Sequence, residues 1–297
     1  MTDMTHIDTR AGFRWWNLSA MLGRVGLHLV IFLGILAAWE AAGRFGLFND
    51  YLVPRPSRIA TAIGRLYVTQ GAIYWHFFVT LFEAVAGFLV AAAVGVGLAV
   101  ASALNESFRR YVAPYAVVLN VTPALALTPI VIAWFGFGWS SKIALGAIIA
   151  FFPIFVNTLT GLMETDADRH EMFRSLGAKN TQLFWKLRLP AAMPMIFAGL
   201  KIGMTSALVG VIVAEFTQAT EGVGVLMNRY SFQLDMASAI ATLLSMSLMG
   251  LLLFTLMEIL DDRIVFWRRD ARMAAVGKAR ARRALSWRTK PAAARKD

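Results

Sequence analysis

The chain has 297 residues, of which 58% are hydrophobic and only 16% charged, with a mean hydropathy of +0.60. That balance excludes an ordinary soluble domain, and several apolar runs are long enough to cross a bilayer, so the composition is that of a polytopic membrane protein. Cysteine is absent, which removes disulfides, thiolate metal sites and a thiol nucleophile. The net charge of +11 lies beside and beyond the apolar runs rather than on a basic folded surface, so nucleic acid is not an expected partner.

Residues 1–24 form a polar leader with Arg10, Arg14, Arg24 and the interface-seeking pair Trp15-Trp16. A first span is expected over 25–42; its length, with Glu40 and Arg44 in place of a cleavage site, argues against a removed signal peptide. Within the polar connection 46–77, Ile59, Ile63, Leu66 and Tyr67 make an apolar stripe opposite Arg58 and Arg65. This predicts a helix lying along the outer interface, with a short core helix as the other reading. A second span is expected over 78–104, where Gly87, Ala91 and Gly95 permit close helix contact. The third, 111–135, is interrupted by Pro114, Pro123 and Pro129 and ends in the aromatic turn 134–139. A fourth covers 142–163, a fifth 190–216 with Gly199, Gly203 and Ala207 at four-residue spacing, and a sixth 236–260. The connection 217–235 is short enough to be re-entrant, and the basic tail 261–297 has no core pattern. The expected fold is all-α: six transmembrane helices, with a charged loop at 164–189 between spans four and five.

Six spans put both termini on one side. Of the 29 Lys and Arg, 22 then fall on that side and 6 on the other, with Lys201 inside a span. The excess places the termini and the 164–189 loop in the cytoplasm. Within that loop, Met172, Phe173 and Leu176 precede Gly177, and Leu183, Phe184 and Leu187 follow it. Each trio has the spacing of one helical face. Gly177 suits the left-handed end of the first helix, Asn180 or Thr181 can cap the second, and Pro190 starts the next segment. Two apolar faces too short to form a core of their own require a partner surface, either another protein or, as the other reading, the surface of the bilayer.

Glu171 followed by Gly177, then Leu187-Arg-Leu-Pro190, resembles the cytoplasmic "EAA" loop of bacterial ABC-importer permeases, with Met172 and Phe173 where two alanines are usual. Pro123-x5-Pro129, Trp134-Phe-Gly, Phe152-Pro153, Asn157-Thr158 and Val213-Ala-Glu215 are similar to permeases for nitrate, sulfonates, taurine and thiamine-pyrimidine precursors, the likeness covering residues 50–260. The resemblance implies a bundle in the inner membrane paired with a second permease subunit, here in a homodimer. It also implies two copies of an ATPase subunit, which bind the ATP and Mg, and an extracytoplasmic solute-binding protein. Residues Glu171, Met172, Phe173, Leu176, Gly177, Leu183, Phe184, Leu187 and Pro190 would then meet the ATPase.

The charge of Lys201 in mid-span is costly and reads as a structural partner of a carboxylate on another helix, or as an attractor of an anionic solute. Glu215 reads as a packing or gating residue, and Glu40 and Glu83 as interfacial. Asn120, Thr122 and Asn157 beside prolines either satisfy freed backbone groups or line a route. The expected solute is a small anion such as nitrate, a sulfonate, taurine or a carboxylate, with a pyrimidine or vitamin precursor behind. No Gly-x4-Gly-Lys-Ser/Thr loop, Gly-x-Ser-x-Gly elbow or metal-ligand spacing among the four histidines occurs, so the chain reads as a transporter rather than an enzyme and holds no cofactor of its own. An ion-coupled secondary transporter is the alternative; it calls for internal repeats and leaves the Gly177 loop without a purpose.

Overall fold

The computed structural model describes residues 15–164, 167–218 and 220–267, with side chains from residue 26 onward except at 167 and 218. The leader residues 1–14 and most of the basic tail lie outside the described residues. Every regular element among the described residues is helical: α1 (Trp15–Arg44), α2 (Pro56–Gly64), α3 (Ala72–Leu104), α4 (Glu106–Val121), α5 (Ala124–Phe135), α6 (Trp139–Met163), α7 (Ala167–Ser175), α8 (Asn180–Leu183), α9 (Leu189–Gln218), α10 (Val223–Phe232) and α11 (Met236–Ile264).

Small residues set the core by letting α3, α6 and α9 approach backbone to backbone. A methyl added at Gly87 would lie 2.9 Å from the Ile143 carbonyl, and one at Gly95 would meet Ile154. Numbers rise together along α3 and α6, so the two helices are parallel. On the other face of α6, Gly210 packs on Gly146 and Gly199 on Asn157, so α9 runs antiparallel. Large apolar side chains then fill the remaining space, among them Phe88, Ile154, Leu208, Met249 and Leu253.

The parallel pair decides what α4 and α5 are. They are bent by 107° at a short break, a geometry open to either a broken span or a re-entrant loop. Since α3 ends where α6 cannot begin, the bent pair has to carry the chain across, and it is one broken span. With the five long apolar helices this makes six crossings. The break follows from Pro123, which lacks an N–H and forces Thr122 into an extended conformation (φ −71°, ψ 125°).

Several expectations are decided or corrected. For the amphipathic stretch after Pro56 the second reading, a packed helix, holds: Ile59, Ala62 and Leu66 are buried, the latter two against α11 at Ala241. The helix α3 starts at Ala72, six residues before the expected span, and its first turn buries Ile73 while Ala72, Tyr74 and Trp75 stay exposed. Glu83 is a core residue rather than an interfacial one, and Lys142, the first residue of the expected fourth span, is buried as well. The stretch 217–235 holds α10, packed on α9 and α11.

Candidate functional site

Two constellations stand at opposite ends of the bundle. The first follows α6. Helix α7 ends at Gly177 (φ +77°), where Gly177 N donates to Arg174 O (2.9 Å) and Ala178 N to Phe173 O (3.1 Å). This pair of bonds closes the helix only if the residue after it is left-handed, which glycine alone adopts freely. The chain re-enters a helix at once, and the cap differs from the expected Asn180 or Thr181: Lys179 N donates to Gln182 Oε1 (2.8 Å). Pro190 does not start a separate segment. A π-turn, Phe184–Arg188, joins α8 to α9, and the wider turn absorbs the proline ring and its missing donor.

The two trios have different fates. Leu183 and Leu187 are buried, and Phe184 packs with Leu162, Ala192 and Ile196, so the second face is covered by the chain's own bundle. The first is not: Met172 is 52% and Leu176 78% exposed, with Glu171 also exposed and Phe173 half-buried. Trp185, 62% exposed in the π-turn, escaped the sequence reading; its position out of phase with the buried trio is the signal that it points outward. Arg188 Nη2 contacts His170 Nε2 (3.3 Å), tying α7 to the π-turn.

The second constellation lies where α3, α6, α9 and the turn before α10 meet. Lys142 pairs with Glu83, both almost wholly buried, and Lys142 Nζ donates to Glu221 O (3.1 Å). Thr80 Oγ1 donates to Glu215 Oε1 (2.6 Å) and accepts from Val223 N (2.9 Å). Gly224 N donates to Glu215 Oε2 (2.7 Å), and Gly222 N to His76 Nδ1 (2.9 Å). Gly222 (φ +127°) has no room for a side chain, since a methyl there would overlap the Glu215 carboxylate. Each buried charge thus has protein partners, which is the condition for keeping charges in a low-dielectric interior.

The remaining candidates lie apart. Lys201 Nζ pairs with Asp261 (2.7 Å), three residues from the end of α11, so this pair links α9 to the last turn of another helix. Asn157 Nδ2 donates to Pro153 O (2.7 Å) and Thr122 Oγ1 to Val118 O (2.7 Å), so both serve their own helices. Asn120 is exposed at the break between α4 and α5. Of the five pathway candidates, only Glu215 joins the buried junction. Glu40 accepts from Ser57 N (3.1 Å) and Ser57 Oγ (2.9 Å), pinning α2 to α1.

The family model for the binding-protein-dependent transport system inner membrane component matches residues 93–266. The formylaminopyrimidine transport permease protein ThiX of Halalkalibacterium halodurans is 32% identical over 240 residues, 81% of this chain and 95% of that protein. The putative aliphatic sulfonates transport permease protein SsuC of Bacillus subtilis is 31% identical over 235 residues, 79% and 84% of the two chains. Among solved structures, a chain of the MetNI methionine ABC transporter in inward-facing conformations superposes with a TM-score of 0.51 at 20% identity, covering 68% of this chain and 96% of that one, which is a likeness of fold. The chain, with its six crossings and its exposed Gly177 segment, belongs to the family of binding-protein-dependent ABC-importer permeases of the inner membrane, and is a transport subunit rather than an enzyme.

Proposed function

We propose that the chain carries a small organic solute inward as one half of a homodimer, driven by two copies of an ATPase subunit that bind ATP and Mg. An extracytoplasmic solute-binding protein supplies the solute. The observation that carries this is the unequal treatment of the two trios. Leu183, Phe184 and Leu187 anchor the segment to the bundle, whereas Met172 and Leu176 stay exposed on a helix whose end is fixed by Gly177. A groove of the ATPase covers that face, with Glu171, Phe173 and Trp185 at its edges. Pro190, inside the continuous helix, passes the movement on to α9. Energy enters because the ATPase binds the inward- and outward-open states with different affinity.

Both termini are assigned to the cytoplasm. The excess of Lys and Arg supports this, and burial of Lys142 against Glu83 removes one cation from the opposite side of the count. The solute is taken from the chemistry named for the relatives, a pyrimidine or a sulfonate-type anion, and the route passes the break at Asn120 and Thr122, where the span is discontinuous. The test is ATP-driven uptake in vesicles after Leu176→Asp, with insertion and expression checked. Loss of ATPase co-purification and uptake is expected. Unchanged uptake, or transport by the lone chain along an ion gradient, overturns the reading.

A further inference from the structure

Beside Lys142 lies a cavity of about 350 Å³ between α5, α6, α9 and residues 220–221. Small-molecule sites span roughly 300–1,000 Å³, so its size suits one compact ligand. Its polar groups are partly spent, and what they have left is specific. Lys142 is paired with Glu83 and donates to the Glu221 carbonyl, which leaves one N–H of the ammonium without an acceptor among the described residues. Ser141 Oγ donates to Gly138 O (3.1 Å) and Thr128 Oγ1 to Ala124 O (3.2 Å). A hydroxyl that has used its hydrogen offers a ligand only lone pairs. The Glu221 carboxylate makes no hydrogen bond or ion pair among the described residues, so it is a further acceptor at the same wall. The apolar Val131 and Trp139 also line it.

The cavity therefore offers one donor, several acceptors and flat apolar surface. Its charge balance is against an anion: the Lys142 charge is compensated by Glu83, and Glu221 adds a negative charge. Lys201, the other lysine of the spans, is likewise compensated, by Asp261.

We propose that this cavity binds a compact, uncharged heteroaromatic amine, its ring nitrogen accepting from Lys142 and its amino group donating to Ser141 and Glu221. The assignment rests on the permease reading and names the solute class for it. The experiment uses the permease–ATPase complex in nanodiscs and equilibrium dialysis with 4-amino-2-methylpyrimidine, against methanesulfonate and taurine. Saturable binding of the pyrimidine is expected, at least about tenfold tighter than of either sulfonate. Losing a hydrogen bond in a buried site weakens binding by about tenfold or more, so Ser141→Ala and Glu221→Gln should each do so. Val131→Trp, which fills the cavity, should abolish it. Tighter binding of methanesulfonate, no saturable binding of the pyrimidine, or indifference to all three variants overturns the proposal. ATP hydrolysis by the same complex, and its sensitivity to Leu176→Asp, reports on the permease reading separately; hydrolysis intact with no pyrimidine bound would sink the cavity alone.

Discussion

Glu83 and Leu176 stand at opposite ends of the bundle and each breaks a rule of its surroundings. Glu83 is a carboxylate fully buried among apolar helices, and Leu176 is a large apolar side chain 78% exposed on a polar segment. The first violation is resolved inside the chain: Lys142 neutralises Glu83, and the neighbouring Thr80, Glu215 and Gly224 complete their hydrogen bonds among themselves. The second is not resolved inside the chain. A buried polar junction with its partners in the chain holds helices together, whereas an apolar face left open on a firmly capped turn is free for an outside surface, which we propose to be the ATPase.

The contrast breaks most visibly at Lys142. Lys142→Met strands the Glu83 carboxylate and is expected to cost about 3–5 kcal/mol, read as a large drop in melting temperature of the purified protein, while Lys142→Met combined with Glu83→Leu recovers most of the loss. Swapping the smaller pair is the next test. Lys201→Asp is expected to destabilise by about 2–3 kcal/mol, less than the buried limit because the lysine is partly exposed, and adding Asp261→Lys should restore the melting point. At the other end the signs change. Leu176→Asp is expected to alter stability by no more than about 0.5 kcal/mol, since the side chain is exposed, yet to remove ATPase binding in a pull-down. Gly177→Ala forces a left-handed alanine and costs about 1 kcal/mol, visible as faster amide exchange over the end of α7. The most local effect belongs to Gln182→Ala, which loses the bond to Lys179 N and about 0.5–1 kcal/mol of helix stability confined to α8, read by amide exchange there.

Much of this was legible because it depends on local spacing. The proline at 123 announces a break, the glycine at 177 a left-handed turn, and the four-residue stripes on α3 and α9 close packing. What depends on partners far along the chain was hidden. Glu83 and Lys142 are separated by 59 positions, and an acid six residues into an expected span passed for interfacial; two uncompensated charges near the same end of neighbouring spans were the available hint. Periodicity likewise reports that a face is apolar but not what covers it, so the trio around Leu183 and the trio around Leu176 looked alike until the bundle claimed one of them. The stripe after Pro56 left two readings open for the same reason, and the packed one holds: nothing local says that α11 lies against it.

The uninterrupted helix from Asn180 to Thr217 has a mechanical consequence. Its 38 residues make a rod about 57 Å long at 1.5 Å per residue, seated on α6 from Ala192 to Gly210. A push at Trp185 therefore need not be relayed through loops: about 5° of rocking over that length displaces one tip against the other by about 5 Å. Because α9 is seated on α6 from Ala192 at Gly161 to Gly210 at Gly146, any such tilt is shared along the whole seam and reaches Glu215 and its bonds to Thr80 and Gly224 at the far end.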